Sequence, residues 1–275
     1  MKTILIPVDF SNTSSNALQF IADLNQDIDI EKIILLKTHY VSIYSNIIPS
    51  GYGQSNAEYI VQERTETEEQ LTLTAQQLLK QCKPGVQIEV AICDLPMLRA
   101  VHDMIRDQIP TLLILGSDAN NEESPIGDYL IEIAQISTIP VLIIPSASKY
   151  KKVERVLVPC AAGAISQLPR LNRLRQMLPN PELVILNVDN KHTGDDENYQ
   201  AQIKEMLGDF SYTVYYAQEK NIAKGILDFA YESRDIQLIV ALPGRYSFFY
   251  NLTHQNITEA ITLNAKIPVL IFKEN

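Results

Sequence analysis

The 275-residue chain contains no tryptophan, only three cysteines and no unbroken apolar run of the roughly 18 residues that a membrane-spanning helix needs. The cysteines, Cys82, Cys93 and Cys160, are odd in number and none has CxxC spacing. A disulfide framework and a zinc site are therefore not expected, and a reducing cytoplasm is the expected compartment. The opening Met1-Lys2-Thr3-Ile4-Leu5-Ile6-Pro7 lacks the basic start and small-residue cleavage site of a secretory leader, so none is expected. No Lys/Arg stripe with interleaved aromatics appears, which argues against nucleic acid as a direct partner. Charged residues are 20% and hydrophobic residues 46%, which excludes a disordered chain. The net charge of −10 is uneven. Residues 1–148 carry 8 basic and 19 acidic side chains, a net of −11, whereas 149–275 carry 15 and 14, a net of +1. The acidic first half would also repel an anionic membrane.

What is present is a repeat. Thr3-Ile4-Leu5-Ile6-Pro7-Val8-Asp9 recurs as Arg155-Val156-Leu157-Val158-Pro159-Cys160-Ala161, and Lys32–Leu36 recurs as Glu182–Leu186. Leu112–Leu115 recurs as Leu238–Ala241, and Ile139-Pro140-Val141-Leu142-Ile143 as Ile267-Pro268-Val269-Leu270-Ile271. The offset falls from 150 to 126 after the second pair, so the first copy holds about two dozen extra residues there. Four landmarks in one order imply an internal duplication.

Each landmark is a short run of β-branched residues and leucine, as in strands buried on both faces of a parallel sheet. Helix-period stretches lie between them. Ser11–Ser15 can cap a helix with Ala17, Ile21 and Leu24 on its apolar face. Residues 57–81 read as a long helix ended by Pro84-Gly85, and 94–109 and 127–137 as two more. Alternation of this kind predicts α/β architecture: two repeated, Rossmann-like, doubly wound, five-stranded parallel sheets. The expected domains are 1–146 and 153–275, joined by 147–152. Ligands of such sheets bind at the carboxyl ends of the strands, which directs attention to Asp9, His39 and the loops after Leu115 and Leu242.

The runs Ile4-Leu5-Ile6-Pro7-Val8-Asp9-Phe10-Ser11, Leu36-Lys37-Thr38-His39, Leu112-Leu113-Ile114-Leu115-Gly116-Ser117 and the two Ile-Pro-Val-Leu-Ile strands resemble the universal stress protein family in tandem form. The resemblance implies an adenine nucleotide alpha hydrolase-like fold. It also implies that the final strands, at Pro140 and Pro268, pair the two halves back to back, with further homodimerisation open. ATP-binding members hold adenine and ribose near the first-strand aspartate and the second-strand end, here Asp9, His39 and Val41. They cradle phosphates in a Gly-x2-Gly-x9-Gly-Ser/Thr loop after the fourth strand, whose glycines let backbone N–H groups approach the phosphates. On that pattern Gly116, Ser117 and Gly127 are the matching positions. Ala119 replaces the second glycine, the loop is two residues short, and Asp128 stands where a phosphate-binding Ser/Thr belongs. Asp118, Glu122 and Glu123 add negative charge. In the second half Leu242, Arg245 and Gln255 replace all three glycines, Asn256 takes the Ser/Thr position, and Ala161 replaces the aspartate.

A carboxylate about 5 Å from a phosphate charge is repelled by on the order of 3 kcal/mol at an effective dielectric of roughly 20. A helix N-terminus returns only about 0.3–1 kcal/mol. The first half therefore reads as a damaged nucleotide site and the second as a lost one. Asp128 has a second reading, as an acid that satisfies a helix starting one turn earlier at Ser124 and Pro125. The resulting expectation is a non-enzymatic stress-response protein that binds a regulatory partner or itself. The rival is an ATP- or AMP-binding switch, with Mg²⁺ and slow hydrolysis, that uses Asp9, Gly116, Ser117 and Gly127. A dehydrogenase is excluded by the lack of G-x-G-x-x-G after the first strand.

Each candidate also has a plainer reading: Asp9 as a helix cap, His39 as a hydrogen-bonded rim residue, Gly116 and Gly127 as turn glycines, and Ser117 as a loop cap. Val41–Asn56, with Tyr44, Gly51, Tyr52 and Gly53, reads as either a lid or a plain loop. Arg245, Asn256 and Thr258 could hold a small anion, and Tyr246–Tyr250 form either a contact patch or a cover for an empty pocket. His102, His192 and His254 have no partners at metal-ligand spacing. Cys160 reads as a packing residue.

Overall fold

The computed structural model describes residues 3–40, 53–118, 125–189, 197–233, 235–243 and 257–273. Ten strands form one sheet in the order β3-β2-β1-β4-β5-β10-β9-β6-β7-β8. The first five are β1 (Thr3–Pro7), β2 (Lys32–Thr38), β3 (Gln87–Cys93), β4 (Leu112–Ser117) and β5 (Val141–Pro145). The second five are β6 (Arg155–Pro159), β7 (Glu182–Asp189), β8 (Tyr212–Gln218), β9 (Leu238–Ala241) and β10 (Val269–Ile271). Within each five the pairing is parallel and the order is the same, third-second-first-fourth-fifth. The registers match too: Thr3 pairs with Lys32 and Arg155 with Glu182. The two expected sheets are therefore halves of one sheet, joined where β10 runs antiparallel to β5 with Leu270 opposite Leu142.

Helices cover both faces, because the strands are apolar on both. On one face lie α1 (Asn12–Asp27), α2 (Gly53–Gln81), a 3₁₀ helix (Ala162–Arg173) running into α6 (Leu174–Met177), and α7 (Glu197–Leu207). On the other lie α3 (Met97–Gln108), α4 (Pro125–Asp128), α5 (Leu130–Ile136), α8 (Ile222–Glu232) and α9 (Ile257–Asn264). Ile4, Ile6, Ile33 and Leu35 feed the first core and Leu5, Ile34 and Leu36 the second, the period-two division that a strand imposes.

Four elements depart from the sequence expectation. The helix expected over 127–137 is broken at Tyr129 into α4 and α5, while α4 begins at Pro125, the earlier start offered by the second reading of Asp128. The long helix α2 starts at Gly53 rather than 57, and α3 starts at Met97, after Pro96. The second half's counterpart of α1 is mostly 3₁₀. Pro169 lies inside it and has no N–H to give an α-helical ladder.

The two halves also meet off the strands. Phe20 and Leu24 of α1 face Met177 and Leu178 across an apolar gap of about 30 Å³, floored by the paired Leu142 and Leu270. Tyr150, in the expected linker, packs edge-on against Phe20 at 5.2 Å, and its hydroxyl donates to Asp27 at 2.5 Å. Lys273, just past β10, donates to the Gln135 carbonyl in the last turn of α5. No described helix is long and apolar enough to cross a membrane.

Candidate functional site

The carboxyl ends of β1, β2 and β4 converge in the first half. After Pro7 the chain stays with the sheet for one more residue, as Val8 N–H donates to Leu36 O at 2.8 Å. Asp9 follows. Its Oδ1 accepts from the Ser11 N–H at 3.0 Å and the Ser11 hydroxyl at 2.5 Å. Its Oδ2 accepts from the Ile126 N–H at 3.3 Å. Ser11 in turn caps α1, its Oγ accepting from Ser14 N–H at 3.2 Å. One carboxylate thus orders the start of α1 and meets the first turn of α4, 117 residues away. To make the turn, Phe10 takes a left-handed conformation with φ 65°, which costs a bulky residue strain.

The Phe10 ring lies 5.0 Å from the Lys37 ammonium. Burial pushes the Lys37 pKa below its ordinary value, and the Asp9 charge partly restores it. Lys37 was not among the residues singled out from sequence. The signal was available, because Lys37, near the end of β2, lies two positions before His39, which extends the ladder just past the strand, and so shares its face. His39 donates its N–H to Cys93 O at 2.9 Å. Its Nε2 is buried and has no hydrogen-bond partner among the described residues.

Gly116 ends up against α1. A Cβ placed there would lie 2.5 Å from Thr13 O and 2.8 Å from both Thr13 C and Thr13 Cγ2. Close passage of a helix over the strand therefore accounts for this glycine without a phosphate. Ser117 closes β4, is 7% exposed, and its carbonyl accepts from Ser146 N–H at 2.7 Å. Gly127 lies half-buried in α4, beside the Ile126 amide that Asp9 holds. Asp9, Gly116, Ser117 and Gly127 therefore gather around β1, β4 and α4. His39 stands off at the β2–β3 side. Val41 lies outside the described residues, as do 41–52 of the lid candidate, Ala119, Glu122, Glu123, Ser124, His192, Arg245, Tyr246–Tyr250, His254, Gln255 and Asn256.

The second half uses its own groups at the matching place. Cys160 N–H donates to Leu186 O at 2.9 Å, as Val8 does to Leu36. Ala161 follows where the first half has Asp9. The Cys160 carbonyl accepts from the Tyr199 hydroxyl of α7 at 2.7 Å, and Tyr199 is 4% exposed. Burial raises the Tyr199 pKa and pushes the Cys160 thiol up to about 11. That keeps the thiol protonated and unreactive at neutral pH, in line with the packing role expected of it. Arg170 of the 3₁₀ helix donates to Pro243 O at 2.7 Å, to Phe272 O at 3.4 Å and to Gln167. It ties the ends of β9 and β10 as Asn16 of α1 ties Pro145 at the end of β5 and Ser148 beyond it. Tyr199 and Arg170 were not legible as site residues, because their partners are carbonyls far away in sequence.

This arrangement is that of the doubly wound α/β class, with polar residues gathered at the carboxyl ends of parallel strands. The sequence profile of the Universal stress protein family matches residues 1–145, and the chain belongs to that family. No curated protein matches it in sequence. A universal stress protein from Archaeoglobus fulgidus DSM 4304 superposes with a TM-score of 0.66 at 19% identity, over 99% of this chain and 96% of that one. A putative universal stress protein from Pseudomonas aeruginosa UCBPP-PA14 gives 0.56 at 11% identity, over 99% and 92%. The cytoplasmic domain of a prokaryotic cation chloride cotransporter gives 0.52 at 10% identity, over 98% and 94%. At these identities the likeness is one of fold.

Proposed function

We propose that this universal stress protein acts in the stress response by binding rather than catalysis. It would consist of two domains, 1–146 and 153–275, joined by 147–152, with a degenerate nucleotide site in the first. Its partners would be a regulatory protein or a second copy, and its compartment a reducing cytoplasm that suits the free thiols of Cys82, Cys93 and Cys160. One observation carries the reading: both Asp9 carboxylate oxygens are taken by the chain's own donors, including the Ile126 N–H in the first turn of α4. A phosphate seeking that amide must displace an internal anion and then lie beside it. Gly116 has its own packing reason, and the second half fills its strand end with Tyr199.

A second reading, ATP or AMP with Mg²⁺ in the first half, draws on the Nε2 of His39, unpartnered among the described residues, and the half-buried Lys37 cation. A melt in millimolar ATP and Mg²⁺ separates the two. A ligand at 100 times its Kd stabilises by about 2.7 kcal/mol, a rise of roughly 5–10 °C in Tm. We expect an unchanged Tm. A rise of that size would overturn the first reading and support the second.

A further inference from the structure

The two halves match strand for strand, but their second helices differ. α7 has 11 residues and buries Tyr199, Ile203 and Leu207 along its length. α2 has 29 residues and buries Leu71, Ala75 and Leu78, all in its last three turns. At about 1.5 Å per residue α2 is roughly 43 Å long, nearly twice the roughly 23 Å of β3 beside it. The turns before Leu71 are an addition that the shared fold does not require. None of residues 59–70 is buried: Tyr59 and Val61 are 66% and 65% exposed, and only Ile60 and Thr67 are half-covered. Of the exposed Glu63, Glu66, Glu68 and Glu69, only Glu68 has a cation one turn away, Arg64. A helical segment that buries no apolar side chain has little stability of its own.

One side chain fastens this segment. Arg64 Nη1 donates to both carboxylate oxygens of Asp94, at 2.7 and 2.6 Å, and no other side-chain bond joins 59–70 to another element among the described residues. Asp94 follows β3. The β2–β3 register runs to Thr38↔Cys93, and the His39 N–H continues the ladder to Cys93 O, so His39 and Asp94 come level. Both lie two positions beyond the paired Lys37 and Ile92, and Ile92 packs on the core that α2 covers. Arg64 thus holds α2 down over the strand ends that carry His39 and Lys37. The buried His39 Nε2, without a partner among the described residues, calls for an explanation. A cover that lifts supplies one, because the nitrogen then meets solvent.

We propose that residues 59–70 of α2 form a hinged arm, latched at Arg64–Asp94, that gates access to His39 and Lys37. The hinge lies just before Leu71, where burial of α2 begins. The latch is an exposed ion pair, so ionic strength sets how firmly it holds. The arm works in this way whether or not the first half binds a nucleotide.

The test uses the full chain. Amide exchange is followed by mass spectrometry, and the rate at which diethyl pyrocarbonate modifies His39 is followed by peptide mapping. Residues 59–70 should exchange about tenfold or more faster than 74–80. Arg64→Gln and Asp94→Asn, both at exposed positions, should each speed exchange of 59–70 and modification of His39 about two- to fivefold, the range of an exposed ion pair. The double variant Arg64→Gln/Asp94→Asn should add nothing to either single change, because each already breaks the pair. The gap between wild type and Arg64→Gln should narrow as salt rises from about 0.1 to about 1 M. Unchanged exchange along β1 and β4 shows that each variant is folded. Exchange as slow in 59–70 as in 74–80 would overturn the proposal. So would single effects that add in the double variant, or an arm that loosens while His39 reacts at the wild-type rate.

Discussion

Replacing Gly116 by alanine separates the two reasons a glycine could stand there. The added methyl would meet Thr13 O at 2.5 Å and Thr13 C at 2.8 Å, both backbone atoms of the first turn of α1. Contacts that short are relieved only by moving the helix or the strand. Thr13 is 4% exposed and α1 packs on Ile4, Ile6 and Leu112, so neither yields easily. Overpacking of this kind costs about 1–3 kcal/mol, while losing glycine's freedom in the unfolded chain returns only about 0.4–1 kcal/mol. The net is a destabilisation of about 1–2 kcal/mol, a fall of roughly 2–8 °C in Tm for a chain of this size. The assay is a thermal and urea melt with no nucleotide present. Adding Thr13→Ala should recover only part of the loss, since it removes the Cγ2 contact and leaves the two backbone ones. An unchanged Tm for Gly116→Ala, or full recovery in the double variant, would refute the packing account and return the glycine to a ligand role.

Asp9→Ala should lower stability by about 1–3 kcal/mol in urea melts, because it strips the Ile126 and Ser11 amides of their acceptor. A residue kept only for a ligand would leave the apoprotein unchanged. Tyr199→Phe should cost about 1 kcal/mol by leaving the Cys160 carbonyl unpaired, read in the same melts. Lys273 gives a pH signature. Burial depresses its pKa to about 8 from an ordinary 10.5, so between those values the native state binds fewer protons than the unfolded chain. Its neutral form's contribution is present above 10.5 and is lost as pH falls through about 8. Wild type should therefore gain Tm relative to Lys273→Met between pH 8 and 10, and a constant difference would contradict the assignment.

The strands were readable because Ile4–Pro7, Ile33–Leu36 and Leu112–Leu115 are short runs rich in isoleucine and leucine and buried on both faces, so length and composition, rather than period, mark them as strands. The seam was readable only through family likeness, since nothing local in Val141–Ile143 says that it will meet Val269–Ile271. The 3₁₀ course of Ala162–Arg173 was written in Pro169 and went unread. At the site, Asp9 was legible as a candidate, though Ser11 rather than Asp9 caps α1. The reach of Asp9 to Ile126 was not legible, because that bond exists only after β1 and β4 have paired. The packing reason for Gly116 was hidden in the same way, behind the crossing of α1 over β4.

The most direct test of the degenerate site is to purify the chain without added nucleotide, unfold it, and analyse the released small molecules by mass spectrometry. The account predicts no adenine nucleotide in stoichiometric amount. One ATP or AMP per chain, lost in Asp9→Ala, would contradict it.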